Sequence, residues 1–215
     1  MNLISFSLWG TNAKYLQGAI INVQLAKEIY PDWRCVFFSD NVLGDYYDKL
    51  RELGAVVTRF PFENVGKYYW RHCIPDVFWR GVVRYVVRDC DSRLSLREKT
   101  AVDEWIASGR TYHFMRDHPK HVNAWMQGMY GVKGYALRGI VQALRCVPDE
   151  YGGVNPLAGE MYAKISPYDR IVHGEFHQEQ FADQRPFPTP REGKRFVGEI
   201  FNEINEPNDD WKELE

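Results

Sequence analysis

The sequence has few cysteines, and none of them is spaced for binding a zinc ion. Its four cysteines (Cys35, Cys73, Cys90 and Cys146) form no C-x-x-C pair. No apolar run is long enough to span a bilayer, and no apolar leader has the features of a secretory signal. An N-x-[ST] glycosylation site is also lacking. These absences predict free thiols, no membrane insertion and a cytoplasmic location.

Several common motifs of nucleotide-binding and hydrolytic proteins are absent as well. The sequence has no G-x-x-x-x-G-K-[ST] phosphate loop, no G-x-G-x-x-G fingerprint, no G-x-S-x-G elbow and no H-E-x-x-H pair. The formal net charge is −2, so no global positive field attracts nucleic acid or an anionic membrane. The expected partner is a small molecule or a neutral glycan.

The sequence does contain short apolar runs typical of strands, which alternate with amphipathic stretches typical of helices. Short apolar runs predict strands at residues 3–8, 35–38, 55–59, 85–88 and 111–115. Amphipathic stretches predict a helix that starts at a Thr11 or Asn12 cap and ends before Pro31, and further helices at 46–53 and 138–146. Ser95 and Glu98 predict a capping box for another helix that ends at Gly109.

The order of these elements predicts an α/β fold. Strands that alternate with helices favour a mostly parallel, Rossmann-like sheet flanked by helices. With 215 residues, a single domain is expected. Residues 1–118 would form a nucleotide-binding half, and residues 119–215 a less regular, acceptor-facing half with an acidic tail. Gly128, Gly131 and Gly134 are predicted to mark a loop.

Asp89-Cys90-Asp91 follows the fourth predicted strand directly. Two carboxylates two residues apart can converge on one hard cation such as magnesium or manganese, whose shell diphosphate oxygens would complete. The alternative is a polar turn in which Asp91 caps nearby backbone. Because ligands of such sheets bind at the carboxyl ends of the strands, we favour the metal-binding interpretation for Asp89 and Asp91.

Other candidate nucleotide-binding residues lie at or near the same strand ends. Asp40 could accept a hydrogen bond from a base or ribose, or form an Asx turn. Trp9 offers a ring for stacking or for the core, and Arg71 a planar fork for phosphate or for a surface ion pair. The complete candidate set for a bound nucleotide is Leu8, Trp9, Gly10, Tyr15, Asp40, Trp70, Arg71, Asp89, Cys90 and Asp91.

Asp117 follows the fifth predicted strand and is the first candidate for contacting the sugar or deprotonating an acceptor hydroxyl. His173 is a candidate third metal ligand as a neutral imidazole, although a lone histidine is more often structural.

The block from Val87 to Lys99 resembles small GT-A-fold glycosyltransferases, in particular those that glycosylate chlorovirus capsid proteins, and their bacterial relatives. Its core reads Arg-Asp-Cys-Asp-Ser-Arg-Leu, which is far more specific than a bare Asp-x-Asp pair. Supporting segments lie at residues 6–10, 70–71, 101–105, 115–119, 186–189 and 196–198.

The resemblance implies a nucleotide-sugar donor, with a UDP-sugar favoured, and a manganese or magnesium ion. It implies a glycan or glycoprotein hydroxyl as acceptor and, for a viral protein, the host cytoplasm as location. It places Asp89 and Asp91 at the metal and raises His173 as a further ligand, because relatives carry a His-Asp-Ser-Phe segment where this chain has residues 173–176.

One departure concerns the part of the site that acts on the sugar. Relatives often carry Tyr-Gly-x-Asp-Gln-x-Phe-Leu, whereas residues 151–157 read YGGVNPL. Without that Asp-Gln pair, the candidates for the catalytic carboxylate are Asp117, Glu175 and Glu179. The missing pair supports one alternative, a donor-binding module that transfers sugar weakly. A second and less favoured alternative is a sugar nucleotidyltransferase, which also uses a metal and an α/β sheet but whose expected Gly-rich N-terminal loop is poorly matched by residues 10–14.

Overall fold

The computed structural model describes residues 1–42, 44–78, 80–134 and 136–208, so the end of the predicted acidic tail lies outside the described residues. The strands are β1 (Asn2–Trp9), β2 (Trp33–Asp40), β3 (Val56–Arg59), β4 (Arg84–Val87), β5 (Tyr112–Arg116), β6 (Tyr130–Lys133) and β7 (Arg170–Gly174). The α-helices are α1 (Ala13–Ile29), α2 (Gly44–Glu52), α3 (Ile74–Val77), α4 (Leu96–Ser108), α5 (Ile140–Leu144) and α6 (Asn155–Lys164). Short 3₁₀ helices lie at Lys67–His72 and Pro167–Asp169.

One sheet contains all seven strands, in the order β3-β2-β1-β4-β6-β5-β7. Strand β6 is antiparallel to its neighbours β4 and β5, and the other pairs are parallel. The predicted α/β class with a mostly parallel sheet is confirmed. Strands β6 and β7 come from the second half of the chain, so both predicted halves build the same sheet.

Helix α1 shows how the sequence sets an element boundary. The Asn12 side chain accepts a hydrogen bond from the Lys14 backbone N–H at 3.0 Å, which makes Asn12 the cap rather than Thr11. The helix begins four residues after the end of β1 and packs its apolar face on the sheet. Lys14, in the first turn of α1, therefore lies beside the end of β4 and contacts Asp91.

The capping box predicted for α4 forms only in part. Ser95 Oγ accepts from the Glu98 backbone N–H at 3.2 Å, and Gly109 ends the helix at φ +69°. The Glu98 carboxylate does not reach back to the cap. It accepts instead from Arg88 Nε at 2.7 Å and from the Tyr30 hydroxyl at 2.9 Å, because a buried guanidinium needs a counter-charge.

The second half of the chain departs most from the sequence-based prediction. Gly131 lies within β6 rather than in a loop, and a Cβ there would press against the Trp105 ring of α4. This glycine therefore permits close packing of a helix on a strand. Helix α6 and strand β7 were not predicted. Within the described residues, no helix is both long enough and apolar enough to cross a bilayer.

Candidate functional site

Strands β1, β2 and β4 end at one edge of the sheet, and several candidate residues meet there. Trp9 and Asp40 are register partners at the ends of β1 and β2. The Arg88 N–H donates to the Ser5 carbonyl at 3.0 Å, which extends the pairing of β4 with β1 up to Asp89. The predicted convergence of these strand ends is therefore present in the structure.

The two carboxylates of the acidic motif have different surroundings at this edge. The Asp89 side chain is 41% exposed, and its Oδ1 lies 3.1 Å from Arg71 Nη1. The Asp91 side chain is only 11% exposed, and its Oδ2 lies 2.8 Å from Lys14 Nζ. Burial and the charge of Asp89 raise the pKa of Asp91, and the hydrogen bond from Lys14 opposes this shift.

Helix α1 holds the backbone of the motif in place. The buried Asn22 amide donates to the carbonyls of Cys90 and Ser92 at 3.3 and 2.9 Å, and its Oδ1 accepts from the Leu94 N–H at 3.1 Å. Gly18 leaves room for the Cys90 carbonyl, which a Cβ at that position would overlap. The turn after β4 is thus fixed by contacts along the helix.

Cys90 itself faces the protein interior. Its thiol lies 3.4 Å from the Ser7 carbonyl, and burial raises the pKa of Cys90 well above its usual value. A neutral, buried thiol is suited to packing. Leu8, another member of the candidate set, is also buried in the core.

Arg71 is held rigidly beside Asp89. Its backbone N–H donates to Ser7 Oγ at 2.9 Å, and its carbonyl accepts from Ser5 Oγ at 2.7 Å. The guanidinium Nε is buried and has no hydrogen-bond partner among the described residues. Because a buried donor without a partner is costly, this nitrogen is suited to an incoming oxygen ligand.

A second group of side chains lies at the ends of β1 and β2. Asp40 accepts from Lys67 Nζ at 2.9 Å, and the Trp9 and Tyr68 rings meet edge to face at 5.0 Å. Gly10 has φ +74° and open space where a Cβ would be. This group offers a carboxylate, a cation and two rings next to exposed backbone, which are groups that recognise a base and a ribose.

Trp70 lies in the core rather than in this group. Its ring stacks on Phe60 at 5.2 Å, and its indole N–H donates to the Val65 carbonyl at 2.9 Å. The 3₁₀ helix turns successive side chains in different directions, so Arg71 reaches the site while Trp70 points away from it. Tyr15 is 38% exposed and lies beneath Lys14 Nζ, which is 4.6 Å from its ring centre.

His173 is not brought together with Asp89 and Asp91. It lies within β7, fully buried, and its ring nitrogens face His113 Nε2 at 2.8 Å and Glu104 Oε2 at 3.3 Å. The described part of the chain contains no group of three or more His, Cys, Asp or Glu side chains that could hold a metal. The prediction failed to anticipate that this histidine points from the sheet towards α4.

Asp117 lies at the carboxyl end of β5 and is completely buried. Its Oδ2 accepts from Arg97 Nε at 2.8 Å and from the Val197 N–H at 2.9 Å. Its Oδ1 accepts from Arg97 Nη2 at 3.0 Å and from Arg191 Nη2 at 2.6 Å. Glu175 pairs with the same two arginines, but its side chain is 32% exposed. Glu179 is exposed in the segment after β7.

A C-terminal segment connects this arginine cluster to the acidic motif. Its Val197 N–H binds the Asp117 carboxylate, and four residues later the Phe201 N–H donates to the Asp91 carbonyl at 2.8 Å. Between them, Gly198 packs against Met129 so closely that a Cβ would overlap the Met129 sulfur. Asp117 therefore anchors a segment that supports Asp91.

Three residues of the site were not among the candidates: Lys14, Asn22 and Gly128. A Cβ on Gly128 would overlap the Asp89 carboxylate, so this glycine makes room for it. The signal for Asn22 was a polar residue on the apolar face of α1. No local signal marks Lys14 or Gly128, because their contacts join distant parts of the chain.

No protein-family model matches the chain, and no curated protein matches it. Solved structures do. A mannosyltransferase from Pyrobaculum calidifontis, in complex with GDP-Man and Mn²⁺, superimposes with a TM-score of 0.52 at 11% identity, covering 89% of this chain and 58% of that one. A glucosyl-3-phosphoglycerate synthase from M. tuberculosis gives a TM-score of 0.50 at 11% identity, with coverage of 89% and 73%.

The chain has the GT-A glycosyltransferase fold. It spans little more than half the length of the mannosyltransferase. The two carboxylates of the acidic motif, Asp89 and Asp91, are of a kind that would fit a divalent cation, because magnesium and manganese prefer oxygen ligands and magnesium is commonly held by one or two carboxylates together with phosphate oxygens.

Proposed function

We propose that the chain is a metal-dependent glycosyltransferase that moves a sugar from a nucleotide-sugar donor, preferably a UDP-sugar, to a hydroxyl of a glycan or glycoprotein. The observation that carries the proposal is the pair Asp89 and Asp91 at the end of a buried strand of a GT-A fold, next to Arg71. The similarity of the surrounding block to chlorovirus glycosyltransferases supports the acceptor class.

The donor would lie along the ends of β1, β2 and β4. Asp40 and the Trp9 ring would contact the base and ribose, and Gly10 would let the chain approach them closely. Arg71, whose Nη1 lies 3.1 Å from Asp89 Oδ1, would bind the diphosphate. These residues orient the leaving group relative to the acceptor.

Asp89 and Asp91 would hold the manganese or magnesium ion, and diphosphate oxygens would complete its shell. The bound cation offsets the negative charge that develops on the departing diphosphate. GDP-Man and Mn²⁺ in the structure of the archaeal mannosyltransferase support this assignment. Since His173 is buried within β7 and faces His113 and Glu104, the metal would be held by the two aspartates and the donor.

Three carboxylates are candidates for assisting the acceptor hydroxyl. Asp117 already accepts four hydrogen bonds, so it has no free lone pair for a proton. Glu175 pairs with the same arginines but is 32% exposed, and this exposure makes it the leading candidate. Glu179 is the exposed alternative.

A donor-binding module with weak transfer is the second candidate function. The observation in its favour is Val154-Asn155, where relatives carry Asp-Gln. The Asn155 side chain accepts from the Gln127 amide at 2.5 Å. Gln127 precedes Gly128 in the chain, and Gly128 lies against the Asp89 carboxylate, so Asn155 is near the acidic motif. An amide at this position can orient a sugar hydroxyl but cannot accept its proton at neutral pH.

A melting-temperature panel of UDP-, GDP-, TDP- and CMP-sugars, with and without Mn²⁺, tests donor binding. We expect one nucleotide class to stabilise the protein in a metal-dependent way, because a ligand that binds only the folded state raises its stability. Asp91→Ala should remove the metal-dependent part. Asp103→Ala, which removes an exposed carboxylate on α4, should leave it unchanged. A protein that no nucleotide stabilises at any metal concentration would contradict the proposal.

A further inference from the structure

Lys14 provides a positive charge next to the Asp91 carboxylate of the acidic motif. It is in the first turn of α1, its Nζ is 2.8 Å from Asp91 Oδ2, and it lies over the Tyr15 ring. The Lys14 ammonium thus occupies one oxygen of a proposed metal ligand.

Each aspartate of the acidic motif pairs with one basic side chain. Lys14 neutralises Asp91, and Arg71 neutralises Asp89. A divalent cation entering alone would meet two carboxylates whose charge is already compensated, and a diphosphate entering alone would meet two aspartates. Entering together, the cation and the diphosphate bring opposite charges and leave the local balance nearly unchanged.

The two cations of these pairs differ in mobility. The Arg71 backbone is bound on both sides by Ser5 and Ser7, and its side chain is 10% exposed. The Lys14 side chain is 25% exposed and ends in a compact ammonium on a flexible stem. The neighbouring Tyr15 ring, 4.6 Å from the ammonium, offers it an aromatic face beside Asp91. Lys14 can therefore change partner, whereas Arg71 stays in place.

We propose that Lys14 is a positioning residue that changes partner during donor binding. In the free protein it neutralises Asp91. When Asp91 takes the cation, Lys14 releases the carboxylate and binds the donor diphosphate. This inference rests on the proposed function. It makes the binding of metal and of nucleoside diphosphate mutually dependent, since each lowers the cost of the other.

Calorimetric titrations of the wild-type protein and of Lys14→Met test this exchange. The probes are Mn²⁺ alone, UDP and GDP alone, and each nucleotide at saturating Mn²⁺. Coupling between two sites commonly amounts to roughly 5- to 150-fold in affinity. We expect Lys14→Met to bind Mn²⁺ alone at least about 5-fold more tightly, and the nucleotide at saturating Mn²⁺ at least about 5-fold more weakly.

Lys99→Met is a matched control. Lys99 also pairs with an aspartate, Asp103, at 2.6 Å, its side chain is 20% exposed, and it lies over an aromatic ring, that of Tyr30. It belongs to α4, outside the site, so its loss should change neither affinity. Lys14→Gln, which also removes the charge, serves as a second variant if Lys14→Met loses its near-ultraviolet circular dichroism.

The outcomes separate this inference from the proposed function. If the folded Lys14 variants bind Mn²⁺ no more tightly than the wild-type protein, or bind the nucleotide equally well, the partner exchange is wrong although the proposed function stands. If the wild-type protein binds neither Mn²⁺ nor any nucleotide, both fail. Opposite changes in the two affinities, absent from Lys99→Met, support the exchange.

Discussion

The Asp89 carboxylate lies directly against the Cα of Gly128, so that any side chain at residue 128 would collide with it. Gly128 precedes β6, the antiparallel strand that pairs with β4. The loop before β6 therefore defines the position of the Asp89 carboxylate, which follows the neighbouring strand β4. This contact makes Gly128 part of the proposed donor site, although it carries no functional group.

Gly128→Ala should displace the Asp89 carboxylate. Because a Cβ would overlap Oδ2, we expect the metal-dependent affinity for nucleotide to fall by about tenfold or more, and overpacking to cost about 1–3 kcal/mol of stability. Calorimetry and urea denaturation measure the two effects.

Gly159→Ala is the control for this substitution. Gly159 lies within α6 with open space around its Cα, so alanine should fit and stabilise the helix by about 0.5–1 kcal/mol. Nucleotide affinity that is unchanged in Gly128→Ala would show that Asp89 does not need its observed position.

Asp117→Asn should destabilise the protein strongly. Asp117 is a buried carboxylate between two arginines, and removing one partner of a buried ion pair costs about 3–5 kcal/mol. Glu175→Gln removes a partly exposed partner of the same arginines, so it should cost about 1 kcal/mol or less while slowing transfer. Urea denaturation measures the stability of the two variants, and a turnover assay measures their rate of transfer. An Asp117→Asn protein with wild-type stability and no turnover would identify Asp117 as the working carboxylate.

Stability should fall in mild acid because of a buried histidine. Burial and the neighbouring His118 lower the pKa of His121 to about 3, and its Nδ1 accepts from the Asp117 N–H at 3.0 Å. Since the folded pKa is depressed, the stabilisation is fully present above the unfolded pKa of about 6.5 and is lost as pH falls towards 3.

His121→Asn tests this pH dependence, since the asparagine oxygen can still accept the Asp117 N–H. Between pH 7.5 and 5.5, we expect the free energy of unfolding of the wild-type protein to fall by about 1 kcal/mol more than that of the variant. Urea denaturation at both pH values gives the difference. Equal losses in the two proteins would mean that His121 is not held neutral in the folded state.

The meeting of three strand ends at one edge of the sheet could be predicted from the sequence, but most side-chain contacts at that edge could not. Apolar runs and helix caps identified β1, β2 and β4, and these bring Trp9, Asp40 and Asp89 to one edge. Local pattern carries no information on pairs such as Lys14 with Asp91, which are 77 residues apart. Gly131 was interpreted as a loop residue because its function, close packing on Trp105, depends on another element.

His173 and Asp117 differ from their predicted roles for two separate reasons. His173 was a candidate ligand because of its neighbours in the chain, but strand alternation directs it to the face that α4 covers. There it meets Glu104 of α4 and His113 of the adjacent strand β5. Asp117 has the expected position at a strand end, but Arg97 and Arg191 enclose it. These arginines come from distant segments, so burial of the carboxylate could not be foreseen.

Donor turnover, followed by ³¹P nuclear magnetic resonance, tests the proposed transferase most directly. The protein is incubated with Mn²⁺, each nucleotide sugar and a panel of free sugars as acceptors. Release of one nucleoside diphosphate is expected in the wild-type protein, and it should stop with a chelator or in Asp91→Asn. A donor that stays intact in every mixture, or that yields a nucleoside triphosphate when pyrophosphate is added, would contradict a glycosyltransferase.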